Sequence, residues 1–578
     1  MKQTRLARIK KKFKDLEYGI RILFGSLNKV TKNIVITCLT IMVIVGFIVT
    51  VKMRKAILVE QPLPGGTWTE GLIGSPRFIN PVLAVSNVDK DLTAVIHAGL
   101  LKRLPDDTYV PDLAEKYEVD KNNLVYTFTL KDGLEFSNGY PITTADVLYT
   151  IEKIKDPLEK SPRNVEWQGV TANIIDDKTI TLTLKQPFND FLDIVTVGIL
   201  PKNVYGKYSS DSFAQAKENI NAIGAGAYKI KNVKTKKNLI QSITLERTNR
   251  NSGYLKKITF KFYDNENDAI SALNNSDIDH LGSVSPSNAQ KLQNDGYSIT
   301  LASFPRLYGL FFNIKKQGIM ANPKLTEAIA SSVDKEMIIN SILNGFGNKV
   351  DLPLPNSLKN KINYPFEKID VEKRMTSLGW NKGEDGIWQK KTTVKTVETI
   401  ERMSFVITTS DTPELRSGAE KISETLKNNG IEATVISFDN ATLENKIRTR
   451  DYEVLYYGIQ VSRESQVYAF WHSSQREHPG LNISGYINSK IDDTLTALQK
   501  ETDADKRINL WEKFGDEFYK DNPAVFIYSP SYIYVHKEKT LFNLPNSIHT
   551  TSDRFININK WYLETEKVLP FLSKTKTN

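Results

Sequence analysis

Residues 403–457 read MSFVITTSDTPELRSGAEKISETLKNNGIEATVISFDNATLENKIRTRDYEVLYY, and their pattern points to the fold class. Met403, Phe405 and Ile407 recur at every second position, the period of a strand. Thr412-Pro413 then opens a helix, because threonine suits the cap and proline suits a first turn whose amide needs no intrahelical partner. Leu415, Ala419, Ile422 and Leu426 share one face of it, and Gly430 closes it. Residues 431–438 and 453–457 read as two more strands around a second, shorter helix. Strand, helix, strand, helix, strand is a sheet with crossover helices, so an α/β domain is expected.

The same logic extends toward the N-terminus. Leu124, Tyr126, Phe128 and Leu130 alternate with mostly polar neighbours, as a half-buried strand does, and Asn138-Gly139 marks a turn. Thr143 caps a helix with Val147, Ile151 and Ile154 on one face and Asp146 in its first turn, and Ile180, Leu182 and Leu184 mark another strand. Asn322-Pro323 starts a helix striped by Leu325, Ile329 and Val333. A chain of 578 residues is long enough for two or three domains, each with a sizeable core. Two α/β lobes are the architectural expectation.

The N-terminal end is different. Residues 34–51 (IVITCLTIMVIVGFIVTV) are 18 residues without a charge, enough to cross a bilayer core as a helix. Ten Lys/Arg precede the run and Lys52, Arg54 and Lys55 follow it, so the positive-inside rule places residues 1–33 in the cytoplasm and the body outside. A buried core helix fits those basic flanks poorly. A cleaved signal peptide would want small residues at the cut, where this chain has Lys52-Met53-Arg54-Lys55. An uncleaved anchor is therefore expected, then a tether over 52–66 and, at the far end, a polar tail over 567–578. The lone Cys38 lies near the start of the apolar run, so the body has no disulfide and must rely on its core. Residues 1–55 net +11 against +10 for the whole chain, which leaves a near-neutral body and argues against a nucleic-acid protein.

A search for chemistry returns little. There is no P-loop, no G-x-S-x-G elbow and no H-E-x-x-H. Of six histidines only His472 and His478 are close in sequence, and they read as a solvated loop rather than a metal pair. Gly224-Ala-Gly226 is too short for a dinucleotide fingerprint and suggests a backbone turn. No spacing singles out a pair of hydrolytic carboxylates. Tyr456, Tyr457, Tyr468, Phe470 and Trp471 crowd one stretch, either as core or as the wall of a ligand cleft. A binder, not an enzyme, is expected, with no cofactor and no metal.

An ordered series of short matches carries a more specific likeness. Asn80-Pro81 and Gly99-Leu100 are followed by residues 111–115 (PDLAE), Lys131-Asp-Gly133, residues 136–139 (FSNG) and 144–147 (TADV). Residues 223–228 (IGAGAY), 310–313 (LFFN), Ala328-Ile329, residues 333–335 (VDK) and 344–347 (NGFG) continue it. Residues 471–473 (WHS), 482–486 (NISGY), Asp492, Arg507 and Asn522-Pro523 complete it. The series resembles the oligopeptide, dipeptide and nickel-binding proteins, bacterial extracellular solute-binding protein family 5.

The resemblance implies a type II periplasmic-binding-protein-like clamp with an extra subdomain. Lobe I would be assembled from 67–97, 225–303 and 527–566, the extra subdomain from 98–224, and lobe II from 304–526. It implies a peptide or other small solute held between the lobes by hinge closure, and delivery to ABC permease subunits. The expected state is a monomer in the cell membrane, with no nucleic-acid partner. An anchored ligand-sensing protein without its own importer is the alternative.

The ligand candidates are Glu70, Gly71, Tyr308, Asn313, Tyr457, Gly458, Ile459, Gln460, Ser462, Glu464 and Trp471. One departure stands out. Peptide-binding members carry Gly-Trp-x-x-Asp after this strand, the aspartate pairing with the peptide ammonium. Here Ile459 stands for the tryptophan and Ser462 for the aspartate, with Glu464 as a substitute should the loop shift.

Overall fold

The computed structural model describes residues 18–19, 21–188, 190–249, 253–355, 358, 361–362, 366–394, 397–501, 503–537, 542 and 544–568. It divides into two compact units, residues 1–63 with 564–578, and residues 64–563. The first unit holds helix α1 (Lys29–Ile57), 29 residues long. Over Lys29–Phe47 its mean hydropathy is 2.0 and none of it is buried, and Cys38 is exposed on it. Part of the expected tether is ordered: Val59–Pro62 pairs antiparallel with Thr565–Val568, and Gln61 Nε2 donates to Glu566 Oε1 at 2.8 Å. The remainder of the expected tail, and the first 17 residues of the basic segment, lie outside the described residues.

The second unit is organised by one sheet of twelve strands. Its strands are β1 (Gly65–Ile73), β2 (Tyr228–Lys236), β3 (Leu239–Arg247), β4 (Leu255–Tyr263), β5 (His280–Gly282), β6 (Ser298–Ser303), β7 (Arg306–Phe312), β8 (Ser404–Ser410), β9 (Glu432–Phe438), β10 (Val454–Gln460) and β11 (Ala524–His536), with Gly347–Lys349 as the twelfth. The order runs β9-β8-β10-β7-β11-β5-β1-β4-β3-β2, while β6 and Gly347–Lys349 also pair with β11.

The thirteen-residue β11 is the seam. Its first part pairs with β7 and its last part with β5 and β6, so it belongs to both halves of the molecule. The chain crosses between the halves at Phe304-Pro305 and at Ser529-Pro530, and Ser529 Oγ ties the two crossings by donating to Phe304 O at 2.5 Å. Lobe I is the half around β1 to β6, and lobe II the half around β7 to β10.

The stretch quoted first folds as its pattern dictates. β8 and β9 pair in parallel with helix α3 (Pro413–Asn428) between them, and β10 joins β8 in parallel after helix α4 (Asn440–Thr449). Ala419, Ile422 and Leu426 of α3 are fully buried against the sheet, and Gly430 closes the helix at a positive φ of 78°. Upstream, the strands Ala114–Val119, Val125–Leu130, Thr179–Leu184 and Val170–Ile174 form a separate four-stranded antiparallel sheet. Helix α2 (Thr144–Lys155) belongs to this subdomain, and the Asp146 carboxylate accepts from the Thr143 N–H at 2.9 Å at its start. Val147, Ile151 and Ile154 of α2 share an apolar core with Phe128, Ile180 and Leu182.

Gly224-Ala-Gly226 is a close backbone approach. A Cβ on Gly224 would lie 2.1 Å from the Ile96 carbonyl oxygen.

Candidate ligand-binding site

The end of β10 is where sequence candidates concentrate and where the subdomain meets lobe II. Tyr308 on β7 lies opposite Gly458 on β10, and a Cβ on Gly458 would sit 2.6 Å from the Tyr308 ring. Glycine there lets the tyrosine lie across the neighbouring strand, where it stacks on Tyr528 with centroids 5.0 Å apart. Tyr457 is half-buried, Ile459 is buried and Gln460 is exposed. Gln460 Nε2 donates to His549 O at 3.3 Å, linking lobe II to the C-terminal segment.

Ser462 and Glu464 do not present free groups. Ser462 N and Oγ both donate to Gln466 Oε1, at 2.7 and 3.1 Å, in a turn that starts helix α5 (Glu464–Trp471). The Glu464 carboxylate pairs with Arg507 inside lobe II, where burial pushes its pKa above the usual carboxylate range against the pull of Arg507. A Glu464 substitute for the missing aspartate would have to break that pair.

Three more candidates are committed internally. Asn313 Nδ2 donates to the carbonyls of Arg450 and Tyr452, both at 2.8 Å. Trp471 is 1% exposed and packs edge-on to Phe518 at 4.7 Å, so the bulkiest of the clustered aromatics is core. Glu70 is fully buried in lobe I, accepting from Arg554 Nε and Tyr534 Oη, both at 2.9 Å, and from Trp68 Nε1 at 3.2 Å. Arg554 also holds Asp91 at 2.7 Å, so one guanidinium serves two buried carboxylates. Burial pushes the Glu70 carboxyl up, and Arg554 opposes that. Gly71, beside it, has Ile278 Cδ1 2.6 Å from where its Cβ would be, so a side chain there would have to displace the end of Ile278.

Sequence reasoning missed Arg463. It follows Ser462 and reaches the subdomain, where Nη1 donates to Glu166 Oε1 at 3.0 Å and Nη2 pairs with Asp193. Ser465 Oγ donates to Asp190 beside it. Burial raises the Asp190 carboxyl, an effect that the Ser465 bond and Arg463 oppose. Tyr109 faces the same charges, and burial, together with Asp193, pushes its phenol well up. A cation on lobe II is thus embraced by three subdomain carboxylates around the end of β10. The only sequence signal was its place, one residue after the expected aspartate.

No group of three or more His, Cys, Asp or Glu is placed to hold a metal among the described residues. His472 Nδ1 bonds Ser474 Oγ at 2.8 Å.

Two lobes joined through a shared strand, with lobe II bridged to a subdomain, have the architecture of a clamp. The model of bacterial extracellular solute-binding proteins, family 5, matches residues 108–478, and the chain belongs to that family. It is similar to the oligopeptide-binding protein AppA of Bacillus subtilis, 24% identical over 87% of this chain and 92% of that protein. Its fold matches the ABC transporter substrate-binding protein CtaP of Listeria monocytogenes with a TM-score of 0.70 at 22% identity, covering 86% of this chain and 99% of that one. It also matches NikZ of Campylobacter jejuni in complex with Ni(L-His), with a TM-score of 0.64 at 21% identity and coverage of 86% and 99%.

Proposed function

We propose that this protein is the substrate receptor of an ABC-type importer, held at the membrane by α1 with its N-terminus in the cytoplasm and its body outside. It captures a peptide or peptide-like solute between the lobes and performs no chemistry on it. The observation that carries this reading is the bridge at the end of β10, where Arg463 and Ser465 of lobe II meet Glu166, Asp190 and Asp193. The curated relative is named an oligopeptide-binding protein, which supports the cargo, and CtaP is titled an ABC transporter protein, which supports the importer. A ligand touching both lobes binds the closed form best, and that difference in affinity drives closure.

Roomy, wet pockets for side chains would suit such a cargo, with the peptide backbone held by strand-like hydrogen bonds. Gene deletion tests the reading. Loss of the protein should abolish uptake of part of a defined oligopeptide mixture, and unchanged uptake of every component would overturn it. Protease added to intact cells should digest the body while α1 stays with the membrane. A body released free of the membrane would remove the anchor.

A further inference from the structure

Residues 228–263, which contain β2, β3 and β4, hold ten Lys/Arg and a single acid, Glu246, a net of +9. Everything after residue 55 nets about −1, so the rest of the body carries about −10. The near-neutral body is strongly polarised, and its positive pole is one end of the lobe I sheet.

Strand register decides where those lysines point. Cross-strand partners share a face. Lys229, Glu246 and Lys257 form one row, and Lys234, Ser242 and Lys261 another. The Oγ1 atoms of Thr244 and Thr259, 3.2 Å apart, lie between the two rows. Ile243, Leu245, Ile258 and Phe260 point the other way and are fully buried, so the lysine face is the one opposite that core. Lys229 and Lys231 pair with Glu246 at 3.6 and 3.1 Å. Among the described residues Lys234, Lys257 and Lys261 make no ion pair.

Lysines often guard an edge strand against pairing with a foreign strand, which would account for β2. It does not account for Lys257 and Lys261, because β4 is an interior strand between β3 and β1. A sheet face on which Lys234 is exposed and Lys257 and Lys261 are half-buried, all three without an ion pair among the described residues, fits an extended anionic surface. Chain length supplies one: residues 58–64, between α1 and β1, span at most about 25 Å when extended. Gly65 then enters the sheet paired with Leu255, two residues before Lys257.

We propose that the lysine face of β2–β4 is a docking surface for an acidic phospholipid bilayer and holds the anchored body against it. The inference rests on the anchor proposed above. Each lysine that reaches such a surface strengthens the contact about fivefold at low salt, and the effect fades over a Debye length.

The test uses the full-length protein in nanodiscs of phosphatidylcholine alone or with phosphatidylglycerol, with amine labelling of each lysine read by mass spectrometry. The readout is site-resolved because the basic N-terminal segment would itself bind acidic lipid. Labelling of Lys234, Lys257 and Lys261 should slow at least about fivefold in the acidic discs and recover in about 0.5 M salt. Lys421 and Lys520 of lobe II should not change. Equal labelling in both discs would overturn the proposal while leaving the anchor intact. A protein that does not co-elute with discs would refute the anchor instead, and the same labelling on phosphatidylglycerol vesicles then decides the surface, with unprotected lysines overturning it. Lys257→Gln with Lys261→Gln should restore labelling of Lys234 in acidic discs. If that variant misfolds, the salt titration of the native protein remains decisive.

Discussion

Arg463 and Glu166 are 297 residues apart in sequence and 3.0 Å apart in space. One ends the turn after β10 and the other belongs to the subdomain, so their contact ties lobe II to the subdomain. Asp193 completes the bridge on the second guanidinium nitrogen.

Arg463→Gln should therefore weaken ligand binding by opening the clamp. Removing the guanidinium leaves the half-buried Glu166 and Asp193 carboxylates without their partner, and the expected loss of affinity is about tenfold to a hundredfold. Calorimetric titration of a peptide that co-purifies with the protein measures it. Asp193→Asn alone should also weaken binding, and in the double variant the two losses should not add.

Arg554→Met should destabilise lobe I without touching the bridge. It strands Glu70 and Asp91 as buried carboxylates without a cation, a cost of about 3–5 kcal/mol. Chemical denaturation measures the change, and a loss under about 1 kcal/mol would contradict the role given to Arg554.

Stability should fall as pH drops from about 6.5 toward 5. Burial lowers His97 to about 4 and His280 to about 3, so the folded protein binds fewer protons than the unfolded chain in that window. Each histidine removes up to about 1.4 kcal/mol per pH unit there. The contribution is complete above pH 6.5 and is lost toward the folded values. His280 stacks on Trp68 at 3.4 Å, so His280→Phe keeps the stack and should flatten the dependence. An unchanged slope in urea titrations across pH would contradict the assignment.

Acetylating the N-terminus of a bound peptide should change affinity by less than about tenfold. Ser462 bonds Gln466, Glu464 pairs with Arg507 and Asp193 with Arg463, so these carboxylates already have partners. A hundredfold loss on acetylation would mean that Asp190 leaves Ser465 to take a ligand ammonium.

The α/β core of lobe II was legible because its signals are local. Alternation in β8, a proline-started helix and Gly430 each act within a few residues, and the fold keeps all three. The bridge was not legible, because Arg463, Glu166 and Asp193 meet only when distant segments pack, and carboxylates are common along the chain. Glu70 was a ligand candidate from sequence, but Arg554, the cation that occupies it, lies 484 residues away. Trp471 illustrates a different limit. An aromatic cluster looks alike from sequence whether it lines a cleft or fills a core, and only its packing against Phe311 and Phe518 distinguishes the two.

A clamp that holds a peptide-like solute beside the Arg463 bridge should carry its cargo through purification. Native mass spectrometry of the full-length protein, purified without added ligand, should show bound species that on release sequence as short peptides and that are depleted from the Arg463→Gln protein. Bound species without amide-linked residues, or equal occupancy of both proteins, would contradict it.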